Sequence, residues 1–231
     1  MNKTEARQLM MKYLIPRIEQ YGFKERGKAT DFQIVRKVDC GEDVINGGLT
    51  DYNPEQQIIY NFYKRHKSII ELLMALEKKG ISLSPPISKH TGTIGFSYET
   101  INGILQIGYL PTMKTEHDVE KCVGLITDFM ETTAIPLLDK FEDLREIDRM
   151  INGKTPWETD ADKPYRFGGN FHLKRLIVSK LAGLGTYDRT LNFIRENYTS
   201  HFNDKYGDDY KQALQHVEEL NNILEGVMPI Y

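Results

Sequence analysis

The sequence predicts an α+β protein, with a small antiparallel sheet packed with helices and then a C-terminal antiparallel helical segment. Three observations carry that expectation. Strand-like runs at Phe32–Val38 and Ile58–Tyr63, and a pair of runs flanking Asn102–Gly103, all fall in the first half of the chain. Helical spacing recurs from Thr4 onward, and beyond residue 170 only helical patterns remain. Short turns join those last helices, which predicts antiparallel neighbours.

The elements follow in order. Thr4 to Gln20 places Ala6, Leu9, Met10, Tyr13 and Tyr21 near one helical face. Pro16 has no backbone N–H, so a kink or restart is expected there, and Gly22 is expected to end the helix. Phe32, Ile34 and Val38 alternate with Gln33 and Lys37, the pattern of a half-buried strand, and Ile58 to Tyr63 is rich in β-branched and aromatic residues. Ser68 with Glu71 reads as a capping box at the head of a second helix. That helix carries Ile69, Ile70, Leu72, Leu73 and Leu76 and closes at Lys78, Lys79 and Gly80. After Pro85–Pro86, Asn102–Gly103 reads as a type I′ turn between strands Thr93–Ile101 and Ile104–Leu110, with Ile94, Phe96 and Tyr98 facing Leu105, Ile107 and Tyr109.

Thr115 and Asp118 open a long helix whose stripe is Val119, Cys122, Val123, Ile126, Phe129, Met130 and Thr133, and Pro136 is expected to break it. The pairs Ile15–Pro16–Arg17–Ile18 and Ile135–Pro136–Leu137–Leu138 read as two similarly kinked helices. A shorter helix carries Leu144, Ile147, Met150 and Ile151 into Gly153. Residues 152–170 lose periodicity, which places a boundary between an α+β domain at 1–152 and a long loop plus helical region at 153–231, with room for both to pack as one unit. Helices at 171–182, 186–202 and 208–225 complete the chain. The last sets Tyr210, Ala213, Leu214, Val217, Leu220 and Leu224 on one face and ends at Gly226.

Composition narrows the function classes. With 40% hydrophobic and 27% charged residues, the 231-residue chain lies in the range of ordinary globular proteins. No apolar run approaches the roughly 18–20 residues needed to cross a bilayer, so no membrane is expected. Met1 to Pro16 is interrupted by Lys3, Glu5, Arg7 and Lys12, an amphipathic helix rather than a signal peptide, and a cytoplasmic location follows as the expectation. Cys40 and Cys122 sit far apart in dissimilar contexts, so no disulfide is expected. A net charge of -3 and a pI near 6.1 disfavour nucleic acid as a partner. Residues 1–114 hold 16 Lys+Arg against 12 Asp+Glu, and residues 115–231 hold 14 against 21, a split that can orient a partner electrostatically or be solvated surface.

The chain contains no Gly-x-x-x-x-Gly-Lys-Ser/Thr loop, Gly-x-Gly-x-x-Gly turn, His-Glu-x-x-His pair, Gly-x-Ser-x-Gly elbow or Cys-x-x-Cys. Its six histidines lack metal-ligand spacing. No catalytic residue, metal or cofactor is therefore expected. His117–Asp118 looks like the dipeptide of helical metal phosphohydrolases, but helix capping by Thr115 and Asp118 accounts for it.

Three surfaces remain as candidates. Lys64, Arg65 and Lys67, with His66, form a basic cluster before a helix, read either as an anion site or as a solvated connection. Gly168 and Gly169 precede a helix bearing Lys174 and Arg175 and offer a second anion cradle, although Asn170 as a plain N-cap also explains them. Trp157, Glu158, Asp160, Asp162 and Tyr165 have the composition of a partner-binding hot spot, an aromatic anchor rimmed by charge; the alternative is that Trp157, Tyr165 and Phe167 fold back onto the core. Elsewhere polar side chains are expected to terminate helices and wet the exterior.

Short motifs carry a resemblance. Tyr21–Gly22–Phe23–Lys24 after the first helix, Ile135–Pro136 with Leu138–Asp139–Lys140–Phe141, and Leu173–Lys174–Arg175–Leu176–Ile177 followed by Lys180–Leu181–Ala182–Gly183 are similar to a group of uncharacterised bacterial α+β domains. Some members of that group are regarded as immunity proteins beside secreted toxins. The resemblance covers residues 4–195 and carries over no catalytic residue. The missing motifs, the charge split and the Trp157 loop lead to the expectation of a non-catalytic module that binds, and neutralises or escorts, another protein; the alternative is a hydrolase or transferase acting on a phosphorylated small molecule at one of the two basic sites.

Overall fold

Alternating apolar residues build one sheet, and the register of its strands decides which side chains meet. The computed structural model describes residues 1–27, 32–51, 55–88, 91–102, 112–153 and 167–231. It is an α+β fold whose five strands run in the order β1-β2-β3-β4-β5, with helices concentrated in the C-terminal half. Internal contacts divide the described chain into two units that interleave along the sequence. Unit 1 holds residues 1–65 and 94–140, and unit 2 holds residues 66–93, 141–153 and 167–231. The sequence reading sets its boundary at 152; these units instead draw residues 66–93 and 141–152 into the second one.

Unit 1 contains the sheet. Strands β1 (Lys24–Arg26), β2 (Phe32–Val38), β3 (Gly41–Asp51), β4 (Gln56–His66) and β5 (Ile94–Phe96) follow one another across it. Both expected strands, at 32–38 and 58–63, are present. The second is longer than its apolar run because polar residues extend it at both ends. Strand β3 has no counterpart in the sequence reading. Its Glu42, Asp43, Asn46, Gly47 and Gly48 are residues that strands normally disfavour. They are accommodated by what lies opposite. Phe32 pairs with Gly47, and a Cβ added at Gly47 would lie 2.2 Å from Phe32 Cζ, so the ring occupies the space a side chain would need. Arg36 pairs with Asp43 and Lys37 with Glu42.

The apolar face of the sheet carries Phe32, Ile34, Ile45, Tyr60, Phe62 and Phe96, all buried. Phe62 stacks on Phe96 at 5.6 Å and meets Phe129 at 5.5 Å. Full burial of one such ring is worth about 1.5–3 kcal/mol. Helix α1 (Lys3–Ile18) packs against β3 and against α4 (Glu116–Phe129). Its buried stripe is Ala6, Met10, Met11, Leu14 and Ile18. Tyr13 and Tyr21 sit at the rim of that stripe, because their hydroxyls donate to Glu116 and Glu131. The stripe of α4 is as expected through Met130, with Thr133 half-buried.

Three local expectations give way. Pro16 does not restart the helix within α1, which runs on to Ile18 before a 3-10 turn at Glu19–Tyr21 and Gly22 at φ 83°. Pro136 does not break the helix that precedes it. A π-turn, Met130–Ala134, leads into α5 (Ile135–Lys140), and the wider turn absorbs the missing N–H and the ring of Pro136. The strand expected over Thr93–Ile101 ends at Phe96. There Ser97 and Thr100 cap each other's backbone N–H groups and start the one-turn helix α3 (Tyr98–Ile101). Ile104–Leu110, the other arm of the expected hairpin, lies outside the described residues.

Unit 2 is helical. Helix α2 (Lys67–Lys78) buries Ile69, Ile70, Leu73 and Leu76. Its N-cap is His66 without a side-chain cap bond, so the Ser68–Glu71 box does not form, and Glu71 lies 3.8 Å from Lys67 instead. Helices α6 (Leu144–Asn152), α7 (Phe171–Ala182), α8 (Tyr187–Ser200) and α9 (Gly207–Leu224) match the expected spans to within a few residues. Helix α7 is the centre of the unit and packs against α2, α6, α8 and α9. Nine of its twelve residues are accordingly buried, including Lys174, Arg175 and Ser179.

Replacing Gly47 by Ala should lower stability by about 1–3 kcal/mol through overpacking against Phe32. Urea denaturation checks this, and the Phe32→Leu, Gly47→Ala double variant should recover part of the loss. An unchanged midpoint for the single variant would show that the ring does not require the glycine.

Candidate functional site

The basic run Lys64–Lys67 is not a solvated connection. Lys64 is 0% exposed, Arg65 5% and His66 1%. Only Lys67 points to solvent, near Glu71. Within unit 1, Lys64 Nζ lies 2.7 Å from Asp43 Oδ1, and Asp43 is itself fully buried. Arg36 Nε donates to the second Asp43 oxygen at 2.8 Å, and its NH2 group reaches Asp139 at 2.5 Å. Asp43 thus holds two cations from the strands on either side.

The opposite face of the same strands repeats the pattern with Glu42. Arg26 and Arg65 both donate to its carboxylate, and Arg65 also donates to the Tyr63 hydroxyl at 3.3 Å. The hydrogen bond from Arg26, helped by the charges of Arg26 and Arg65, holds Glu42 below the usual carboxylate range against the opposing pull of burial. Adjacent residues of a strand face opposite ways, so Glu42–Asp43 on β3 and Lys64–Arg65 on β4 supply one ion pair to each face.

Within unit 2, the second cationic candidate is equally enclosed. Lys174, 1% exposed, donates to the carbonyl oxygens of Phe167 at 2.6 Å and Gly92 at 2.7 Å. Burial pushes its ammonium down to about 8. Arg175, 2% exposed, donates through Nε to Asn152 Oδ1 at 3.0 Å and through NH2 to the Ile151 carbonyl at 3.1 Å. Asn152 in turn donates to Asp148 Oδ1 at 2.7 Å, and the Thr186 hydroxyl donates to Asp148 Oδ2 at 2.7 Å. This chain of bonds ties α6, α7 and the start of α8 together.

Gly169 serves packing and Gly168 serves backbone conformation. A Cβ at Gly169 would lie 2.4 Å from Pro85 Cδ, and Gly168 has φ 64°. Asn170 occupies the N-cap position at φ 59° without a side-chain cap bond, and its amide donates to the Pro85 carbonyl at 2.9 Å. The plain N-cap expected of Asn170 is therefore replaced by a tie to the loop before β5. Trp157, Glu158, Asp160, Asp162 and Tyr165 lie outside the described residues.

Two further groups are shaped by burial. Among the described residues, His172 Nδ1 is buried without a hydrogen-bond partner, and its ring stands edge-on to Tyr198 at 5.0 Å. Burial, with the charge of Arg175 adding to it, pushes the imidazole down to about 3. Burial also pushes the Cys122 thiol up to about 11, which leaves it a small apolar side chain. Asp43, Glu42, Asp148 and Asn152 were legible only through their partners. An acidic pair in a polar stretch acquires meaning once the stretch is known to be a strand beside a basic pair.

Unit 1 also has an open cleft of about 550 Å³ between α1 and the start of α4, lined in part by Glu5, Leu9, Lys12, Lys114 and Glu116. Lys12 lies 3.3 Å from Glu116, and Lys114 lies 2.5 Å from Glu55. The expectation that polar groups mostly cap helices and wet the exterior needs correction: Asp43, Lys64, Arg65, Asp148, Asn152, Lys174 and Arg175 are part of the interior. They interact with one another and with backbone carbonyls.

Comparison with known proteins adds no relative: no family model, curated protein or solved structure matches the chain. Among the described residues, no helix is long and apolar enough to cross a membrane.

The buried groups make three outcomes measurable. Lys64→Met should cost about 3–5 kcal/mol in chemical denaturation, since it leaves Asp43 buried with only Arg36 opposite; adding Asp43→Asn should restore part of that loss. Lys174 should titrate near pH 8 by its side-chain carbon resonance. The unfolded chain then holds the extra proton between pH 8 and 10.5, so this residue adds stability as pH rises through that window. His172 works in the acid range. The unfolded imidazole protonates at about 6.5 and the folded one only near 3, so stability falls as pH drops from 6.5. His172→Phe should flatten the fall in melting temperature between pH 7 and 4, and an unchanged slope would remove His172 from the acid response.

Proposed function

We propose that the chain is a non-catalytic module that binds another protein and neutralises or escorts it. The observation that carries this reading is exposed apolar surface on unit 2. Leu184 is 39% exposed, Met228 80%, Ile230 53% and Tyr231 51%. The segment after α9 returns to the C-terminal end of α7, and Arg145 lies 4.2 Å over the Tyr231 ring, whose hydroxyl accepts from Leu144 N at 3.2 Å. Ile230 N donates to the Leu181 carbonyl at 2.9 Å, and Pro229 lies against Gly183, next to Leu184. Large apolar side chains facing solvent form an interaction surface where they are contiguous.

The resemblance to bacterial immunity-type domains supports the same class, with a cytoplasmic location and a protein partner. Trp157 and its acidic neighbours belong to the proposal as a second contact region on composition alone. A phosphate-directed hydrolase or transferase would need available cations at Lys64–Lys67 or Gly168–Arg175. Lys64, Arg65, Lys174 and Arg175 already hold carboxylate, amide or carbonyl oxygens of their own chain, which weighs against that alternative.

The test begins with capture of partners from native lysate on the full chain. It continues with calorimetry of the purified captured protein and an assay of that protein's own activity. Leu184→Asp with Met228→Asp should weaken binding at least about tenfold, or 1.4 kcal/mol, while leaving the melting temperature in place. Equal affinity for this variant would remove the patch from the interface. A captured protein that fails to bind once purified would defeat the proposal itself.

A further inference from the structure

We draw no further inference here: the strongest candidate, the open cleft of unit 1 between α1 and the start of α4, rests on a helix N-terminus whose flanking Lys12 and Lys114 are already paired with Glu116 and Glu55, and nothing else among the described residues points to what would fill it.

Discussion

Asp43 is a carboxylate with no access to water, and the sheet of unit 1 is arranged around the need to compensate it. Taking an isolated charge out of water costs several kcal/mol even after relaxation, so a buried carboxylate persists only where cations are placed against it. Lys64 and Arg36 do this from β4 and β2. Their placement fixes the register of three strands at once. A slip of one residue would turn Asp43 to the face that Glu42 occupies and separate it from both partners. The aromatic face of the sheet supplies the larger apolar stabilisation, but apolar contacts tolerate rearrangement more readily than a buried charge does. Specificity of pairing therefore rests on the ions, and cohesion rests on the rings.

Unit 2 meets the same need with carbonyl and amide oxygens among the acceptors. Lys174 is surrounded by carbonyl oxygens, which solvate an ammonium less well than water or a carboxylate would, and its proton is correspondingly loosely held. Arg175 has an amide oxygen and a carbonyl, with Asp148 one step further along the chain of bonds. The two residues are neighbours on a helix with little exposed surface, so each must find its acceptors in the element it faces. Lys174 reaches the loop before β5 and the entry to α7, and Arg175 reaches α6. Helix α7 thereby gathers the segments around it through polar ties as well as apolar packing.

How much of this was legible in the sequence depends on whether the cause of a feature is local. Helices α7, α8 and α9 were placed well because each is closed by residues within a turn of its end, Gly183 and Gly226 among them. The Thr115–Asp118 cap was legible for the same reason, its two partners being three residues apart. Strand β3 was not, because the propensity of Glu42–Gly48 points away from a strand. What overrides it, Phe32 over Gly47 and cations opposite the acids, comes from other strands. The short helix α3 was concealed differently. Its residues look β-forming, and a reciprocal Ser97–Thr100 cap redirects the backbone within one turn. Pro136 does not end its helix, since a helix with packed neighbours can absorb a missing N–H, here by way of a π-turn.

The basic clusters make the same point about function. A run such as Lys64–Lys67 reads as an offer of positive charge, and the same residues serve equally well as the internal counter-charge of an acidic strand. The two roles exclude each other: a cation held at hydrogen-bond distance by its own chain can take an outside anion only if the fold first gives up the bond, and that leaves a carboxylate buried and alone. Recognition by such a molecule falls more naturally to groups whose engagement costs the interior nothing. On unit 2 those are apolar side chains already facing solvent, and covering them gains free energy in proportion to the area removed from water. The division of labour follows from solvation alone. Charge that has been withdrawn to order the core is unavailable for ligands, and under the proposed function the surface that the core did not need is what a partner would cover.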